Sequence, residues 1–115
     1  MSDQRLHERL LARVRVYARI ESTPDGSIPR GTQFVCETRD LSFMGFCLVC
    51  EEAIPEKSIL ILNVELDYGQ GEFNHLGEVI WQRSCDEGFL AGVHITEQLC
   101  EEKVWQDGVM TILTS

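Results

Sequence analysis

The chain has 115 residues and a net charge of −9, with 43% apolar and 25% charged residues, which fits one small globular domain with a single core. The acidic charge argues against general binding of DNA or RNA, because an acidic surface repels a polyphosphate. No apolar segment is long enough to insert in a membrane, and the polar start does not resemble a secretory signal. Five cysteines without the spacing of a disulfide scaffold indicate reduced thiols. We therefore predict a single cytoplasmic domain over residues 1–115.

The positive charge is concentrated at the start of the chain. Residues 1–19 contain five arginines and two acidic residues, so their net charge is +3, and the net charge of residues 20–115 is −12. Arginine suits phosphate oxygens and the O6/N7 edge of guanine, because its planar group donates paired hydrogen bonds. A small anionic ligand is therefore compatible with an acidic protein, since short-range pairing persists where the distant field is screened.

Residues 1–12 are predicted to form an N-terminal arm, and the barrel to occupy residues 13–95. The hydrophobic period becomes two after the arm, which indicates a half-buried strand whose inward side chains are Val14, Val16, Ala18 and Ile20. Proline and glycine then predict a loop over residues 21–32. A second strand is predicted over residues 33–39.

The third predicted strand, residues 46–51, is apolar on both faces. One face would line the core, and a helix or a second copy of the chain in a homodimer would cover the other. The fourth predicted strand has the inward side chains Leu60, Leu62, Val64 and Leu66. A hairpin loop over residues 67–71 joins it to the fifth strand, residues 76–83. The sixth strand, residues 89–95, follows a short connection.

A helical period begins after Ile95, and Thr96 is predicted to cap a helix over residues 96–113. The apolar stripe of that helix would be formed by Trp105, Val109, Ile112 and Leu113. Six short strands followed by one helix predict an all-β fold, a six-stranded antiparallel β-barrel with a C-terminal helix.

No group of residues points to catalysis or to a bound metal. The three histidines show no spacing to one another or to a nucleophile, and His94 is predicted to face outward from its strand. Cys47 and Cys50 are three residues apart in a strand, so they face opposite sides and cannot easily share one ion. We therefore predict buried free thiols, no metal, no cofactor and no enzymatic activity.

Paired arginines form the first motif with a functional interpretation. Arg9 and Arg13 have the spacing R-x-x-x-R immediately before the first strand, and Arg15 and Arg19 repeat this spacing within the strand. Taken alone, arginines on a strand face are more often simply solvated.

The second motif, D-x-S-x-x-G, lies between the second and third strands and consists of Asp40, Ser42 and Gly45. Asp and Ser side chains bond nearby N–H groups in turns, and glycine can take a positive φ or admit a close neighbour. Taken alone, the motif is also compatible with an ordinary hairpin turn.

In this order and strand context, the two motifs resemble those of the PilZ domain, a bacterial family that binds cyclic di-GMP on a six-stranded antiparallel barrel. The segments Gly77–Trp81 and Leu90–Ile95 are similar to the fifth and sixth strands of that family. The resemblance spans roughly residues 5–113. It implies a cyclic di-GMP receptor in second-messenger signalling, in the regulation of motility or biofilm formation, which acts on a downstream protein partner.

The resemblance also implies a role for each matching position. Arg9 and Arg13 would bind the guanine edges and phosphates of cyclic di-GMP. Asp40 and Ser42 would make polar contacts with guanine, and Gly45 would keep the loop open beside the base.

Other features of the sequence keep alternatives open. Trp81 occupies a position where some relatives stack an aromatic side chain on the ligand, but a tryptophan packed in the core or on a helix is an equal alternative. Glu8 and Leu10 depart from the arginine-rich pattern of many relatives, which leaves Arg15 and Arg19 as the alternative ligand-binding pair. The alternative function is a PilZ-fold interaction module of the pilus or motility machinery that does not bind the nucleotide.

Overall fold

A computed structural model of the protein describes residues 14–66 and 71–99. This part of the chain contains six β-strands, which are β1 (Arg15–Ser22), β2 (Gln33–Leu41), β3 (Gly45–Cys50), β4 (Ile59–Leu66), β5 (Gly71–Cys85) and β6 (Gly88–Gln98). They form a closed barrel in the order β1-β2-β3-β6-β5-β4, and every neighbouring pair is antiparallel. The predicted six-stranded antiparallel barrel is therefore confirmed.

The barrel core is built by the predicted alternation of side chains. In β1 and β4 the inward residues are at most 1% exposed, namely Val16, Ala18, Ile20, Leu60, Leu62 and Val64. Ala18 pairs with Leu62 across the strands that close the barrel, so a small residue lies opposite a large one. Burial of each large aliphatic side chain stabilises the fold by about 1.5–3 kcal/mol.

Among the β-bulges of the barrel, one in β2 and one in β5 concern function. In β2 the pairing with β3 shifts between Thr38 and Asp40, and in β5 the pairing with β6 shifts between Val79 and Trp81. Each bulge inserts one extra residue, Arg39 in β2 and Ile80 in β5. Two consecutive side chains therefore lie on the outer surface at each bulge.

The predicted end of β6 was wrong. Thr96 and Glu97 belong to the strand, because the β5–β6 ladder continues as Leu76 pairs with Glu97 and His75 with Gln98. The Thr96 hydroxyl donates to the Leu76 carbonyl at 3.1 Å, so Thr96 does not cap a helix. Residues 100–113 of the predicted helix lie outside the described residues. Within the described ranges no helix has the length and hydrophobicity of a membrane span.

The third strand is buried on both faces, as its composition predicted. Phe46, Leu48 and Cys50 belong to the core and are at most 2% exposed. Cys47 faces the opposite side and is still only 6% exposed. The fifth strand extends beyond its predicted bounds in both directions, from Gly71, which pairs with Leu66 of β4, to Cys85, which pairs with Gly88 of β6.

Candidate functional site

The D-x-S-x-x-G segment forms a tight turn between β2 and β3. The Ser42 N–H donates to the Gly45 carbonyl at 2.9 Å, and the Ser42 hydroxyl donates to the same carbonyl at 3.3 Å. The Met44 N–H donates to the Ser42 hydroxyl at 3.4 Å. The Ile95 N–H of β6 donates to the Met44 carbonyl at 2.8 Å. Ser42, 7% exposed, thus organises the turn, and β6 holds the turn against the barrel.

Gly45 is required by a close approach of backbones. A Cβ atom at this position would lie 2.2 Å from the Val93 carbonyl oxygen of β6. Its φ is not positive, so glycine is needed here because a neighbour lies close, and not because the backbone takes a positive φ. The Gly45–His94 pairing of β3 with β6 depends on this contact.

The bulge at Arg39 directs Asp40 to the outer surface beside the turn. Asp40 pairs with Cys47, whose side chain also points away from the core. Thr38 and Leu41 on either side are fully buried. A carboxylate and an exposed guanidinium therefore stand next to each other where β2 enters the turn.

The first described residue of the chain is fixed beside the same part of β2. The Thr38 N–H donates to the Val14 carbonyl at 2.8 Å, and the Val14 N–H donates to the Thr38 hydroxyl at 2.9 Å. Thr38 is only two residues before Asp40. Arg9 and Arg13 lie outside the described residues, but the segment that carries them is covalently joined to the barrel at this point.

Trp81 lies on the outer face of the barrel rather than in the core. An added Cβ at Gly92 would come within 2.1 Å of the indole Nε1, so the ring covers this glycine. The Arg83 guanidinium carbon lies 4.8 Å from the centroid of the indole, which is a cation–π distance. The tryptophan is partly exposed.

The turn and Trp81 border one surface cavity of about 220 Å³, which we call the turn cavity. Its lining combines the turn with the outer face of β5 and β6, and consists of Ser42, Met44, Gly45, Phe46, Ile80, Trp81, Gly92, Val93 and His94. His94 is exposed, as predicted from its strand position. The turn cavity brings together Ser42, Gly45 and Trp81 from the sequence-predicted set, and Asp40 lies just before the turn.

A larger cavity of about 720 Å³, the acidic cavity, lies along β2 and the end of β3. Its charged lining is Arg15, Glu37, Glu51, Glu52 and Glu87. Four carboxylates against one guanidinium disfavour an anionic ligand. Despite its size, this cavity contains none of the turn residues, so the turn cavity is the better candidate for a phosphate-containing ligand.

The structure separates the alternative arginine pair from the turn. Arg15 pairs with Glu37 and Arg19 with Gln33. At roughly 3.4 Å per residue, these partners lie about 10 and 24 Å along β2 from Asp40. The pKa of Arg15 is raised, mainly because of a hydrogen bond to Tyr17. Arg15 lines the acidic cavity, and Arg19 lies still farther from the turn.

Sequence reasoning missed four residues around the turn cavity. Met44 and Ile80 are 51% and 53% exposed and line it, while Arg39 and Arg83 are exposed cations near Asp40 and Trp81. The bulges account for the omission of Arg39 and Ile80, because a single sequence does not reveal where a ladder shifts its register.

The described cysteines are free, as predicted, and three of the four are buried. Within the described residues, no group of three or more His, Cys, Asp or Glu side chains is arranged to hold a metal ion. Sequence reasoning treated the cysteines as scattered, whereas Cys36 and Cys50 have their sulfur atoms 3.2 Å apart.

The described part of the chain is a small closed antiparallel barrel in which a partly exposed tryptophan lies beside a D-x-S-x-x-G turn. The chain belongs to the PilZ domain family, whose pattern it matches over residues 3–104. The family is known for cyclic di-GMP receptors. A crystal structure of the PilZ domain of CeSA from a cellulose-synthesizing bacterium has the same fold, with a TM-score of 0.56 and 17% identity over 93% of this chain and 96% of that one. No curated protein matches the sequence.

Proposed function

We propose that the protein is a cyclic di-GMP receptor whose ligand lies between the N-terminal arginine arm and the β2–β3 turn. The observation that carries the proposal is the double hydrogen bond between Val14 and Thr38. It joins the end of the R-x-x-x-R segment to β2 two residues before Asp40. This attachment beside Asp40 supports a common site for the two sequence motifs.

The chemistry of the ligand suits the groups at this place. Cyclic di-GMP carries two anionic phosphodiesters and two guanines. Arg9 and Arg13 supply charge-assisted donors to phosphate oxygens and to the O6/N7 edge of guanine. The Asp40 carboxylate accepts hydrogen bonds from the N1–H and N2–H groups of guanine, while Ser42 keeps the turn in shape.

Trp81 supplies a surface for the flat face of a guanine. Its indole is held against Gly92, and the Arg83 guanidinium lies over the ring, so a stacked guanine would take the place of this guanidinium. A stacked base is worth about 1–3 kcal/mol to the complex. The exposed side chains of Met44 and Ile80 add apolar surface at the edge of the same cavity.

Ligand binding is expected to change the surface that a partner protein meets. The phosphates neutralise the repulsion between arginines of the arm and draw the arm towards the turn, which is a known type of switch. PilZ domains generally act as binding or adaptor modules rather than as enzymes, and the protein is proposed to act in the same way.

Isothermal titration calorimetry with cyclic di-GMP, with GTP as the control ligand, tests the proposal. We expect a Kd in the micromolar range or tighter, which corresponds to a free energy of about −8 kcal/mol or more favourable. GTP should bind much more weakly, because it has one guanine and a different phosphate geometry. The proposal fails if cyclic di-GMP produces neither heat nor a shift in Tm at about 1 mM.

A further inference from the structure

Cys36 of β2 and Cys50 of β3 form a buried pair of thiols. Each residue is 2% exposed, and their Sγ atoms are 3.2 Å apart. Both side chains belong to the barrel core. Neither cysteine has a role in the proposed ligand site, although the two strands that carry them also carry the β2–β3 turn.

The backbone is already suited to a covalent link between these residues. Glu37 pairs with Val49, so the next position of the antiparallel ladder places Cys36 opposite Cys50. Residues opposite each other in such a ladder have Cα atoms about 4.5–5.5 Å apart, within the range of about 4.4–6.8 Å that a disulfide spans. The sulfur atoms need to approach by about 1.2 Å to reach the S–S bond length. Rotation of the two side chains can supply that movement.

Cys36 and Cys50 both contribute to the wall of the acidic cavity of about 720 Å³, while their side chains belong to the core. An oxidant that enters this cavity must therefore pass between β2 and β3 to reach the sulfur atoms. The hydrogen bond from Cys50 stabilises a Cys36 thiolate and lowers the pKa of Cys36, while the same bond and burial raise the pKa of Cys50. The thiolate is the form that reacts, so the lower pKa favours Cys36 as the attacking sulfur and leaves Cys50 as the neighbouring thiol that can resolve it.

We propose that Cys36 and Cys50 form a redox-active dithiol that a hydroperoxide converts to a cross-strand disulfide. The Cys36 thiolate attacks one peroxide oxygen, the O–O bond breaks, and with a proton the products are a sulfenic acid and water or an alcohol. The Cys50 sulfur then attacks the Cys36 sulfur and displaces the hydroxyl group as water, with the Cys50 proton. The two thiols lose two electrons, and the hydroperoxide gains them.

The disulfide joins the two strands on either side of the β2–β3 turn. It closes a ring that contains Asp40, Ser42 and Gly45, so it restricts separation of the strands that support the turn. The reduced and oxidised proteins are expected to differ in stability, and the oxidised form should melt at the higher temperature. This inference does not depend on cyclic di-GMP binding.

The test treats the reduced full-length chain with hydrogen peroxide, blocks the remaining thiols with N-ethylmaleimide and analyses tryptic peptides by mass spectrometry. Trypsin cleaves after Arg39 and so separates Cys36 from Cys50 unless a disulfide links them. We expect an intramolecular Cys36–Cys50 peptide that dithiothreitol removes. We also expect oxidation to raise Tm by about 5 °C or more.

Two variants make the assignment specific. Cys47→Ala removes the second cysteine from the tryptic peptide that contains Cys50, and the peptide linked through Cys36 and Cys50 should still form. Cys85→Ser removes a half-exposed thiol from another strand and should also leave it intact. Cys36→Ser should abolish both the link and the Tm shift. If that variant does not fold, the linked peptide of the unmodified chain decides the question.

Three results overturn the proposal. The first is the absence of a linked peptide after peroxide treatment. The second is accumulation of sulfinic or sulfonic acid at Cys36 without a link to Cys50. The third is a disulfide that involves Cys85 or joins two chains.

Discussion

The indole of Trp81 occupies the space above Gly92 that a side chain would need, since a Cβ at Gly92 would lie 2.1 Å from its Nε1. We therefore expect Gly92→Ala to displace Trp81 and to destabilise the fold by about 1–3 kcal/mol, as overpacking does. Urea unfolding measures this loss, and a double-mutant cycle with Trp81→Ala tests its cause. Adding Trp81→Ala should relieve most of the cost of Gly92→Ala. Additive effects of the two substitutions would contradict the contact.

Gly45→Ala should be more damaging than Gly92→Ala. Its Cβ would meet the Val93 backbone carbonyl at 2.2 Å, and that carbonyl cannot move aside as a side chain can. We expect a loss of about 3 kcal/mol, together with a disturbed turn and weaker ligand binding. Met44→Ala is the matched control, because this neighbour is 51% exposed. It should change stability by no more than about 0.5 kcal/mol. Equal losses for the two variants would show that Gly45 is not tightly packed.

Asp40 and Ser42 are expected to differ in their effect on cyclic di-GMP affinity. Asp40→Asn removes the charge that strengthens hydrogen bonds to guanine, and should cost about 1.5–3 kcal/mol of binding free energy. Ser42→Ala should cost about 1 kcal/mol, because its hydroxyl is already bonded within the turn. Titration calorimetry of both variants measures the difference. A larger loss for Ser42→Ala would mean that the hydroxyl contacts the ligand directly.

Arg13→Ala should weaken cyclic di-GMP binding more than Arg19→Ala. Arg13 directly precedes Val14, which is bonded to Thr38 beside the turn, whereas Arg19 pairs with Gln33 far along β2. Loss of the arginine contact should cost about 1.5–3 kcal/mol. Binding of the unmodified protein should also weaken as salt rises, and less steeply so after Arg13→Ala. Equal affinities of the two variants for cyclic di-GMP would indicate that Arg15 and Arg19 form the ligand site instead.

His75 should make the protein less stable in mild acid. The imidazole is fully buried against the Phe46 ring, and burial lowers its pKa from 6.5 to about 4. Between these values the unfolded chain binds a proton that the folded chain does not, so stability is complete above about pH 6.5 and falls as the pH decreases. The loss attributable to His75 should reach about 2 kcal/mol at pH 5.

Urea unfolding at pH 7 and pH 5, compared with the His75→Leu variant, measures this contribution. The variant lacks the titrating group and should lose less stability on acidification than the unmodified protein. An NMR titration of the imidazole gives a second readout that does not require the variant to fold. A His75 pKa near 6.5 in the folded protein would contradict the prediction.

The sequence predicted the barrel correctly because its strands alternate strictly where one face is buried. Val16, Ala18 and Ile20 are all inward, and His94 is outward, as the period of two requires. The end of β6 was missed because Thr96 and Glu97 are as suitable for a helix start as for an exposed strand. Pairing with β5, which depends on distant residues, decides between the two.

The candidate site was predicted in part, for a similar reason. The D-x-S-x-x-G turn and Trp81 could be identified from the sequence, but their position around one cavity follows from the β3–β6–β5 order. The proximity of Cys36 and Cys50 likewise depends on the β2–β3 register. Arg9 and Arg13 lie outside the described residues, and their role stays a prediction.

The closure of the barrel limits how a partner protein can bind to this domain. Each of the six described strands has a neighbour on both sides, so backbone groups that could pair with a partner's strand lie where a ladder ends, as in β5 beyond Glu78, where its ladder with β4 stops. Recognition by most of the described barrel must therefore rely on side chains and loops rather than on backbone pairing. In the proposed receptor, a downstream protein would distinguish the ligand-free form from the ligand-bound form by charge and shape on the outer surface, and the barrel itself can stay rigid.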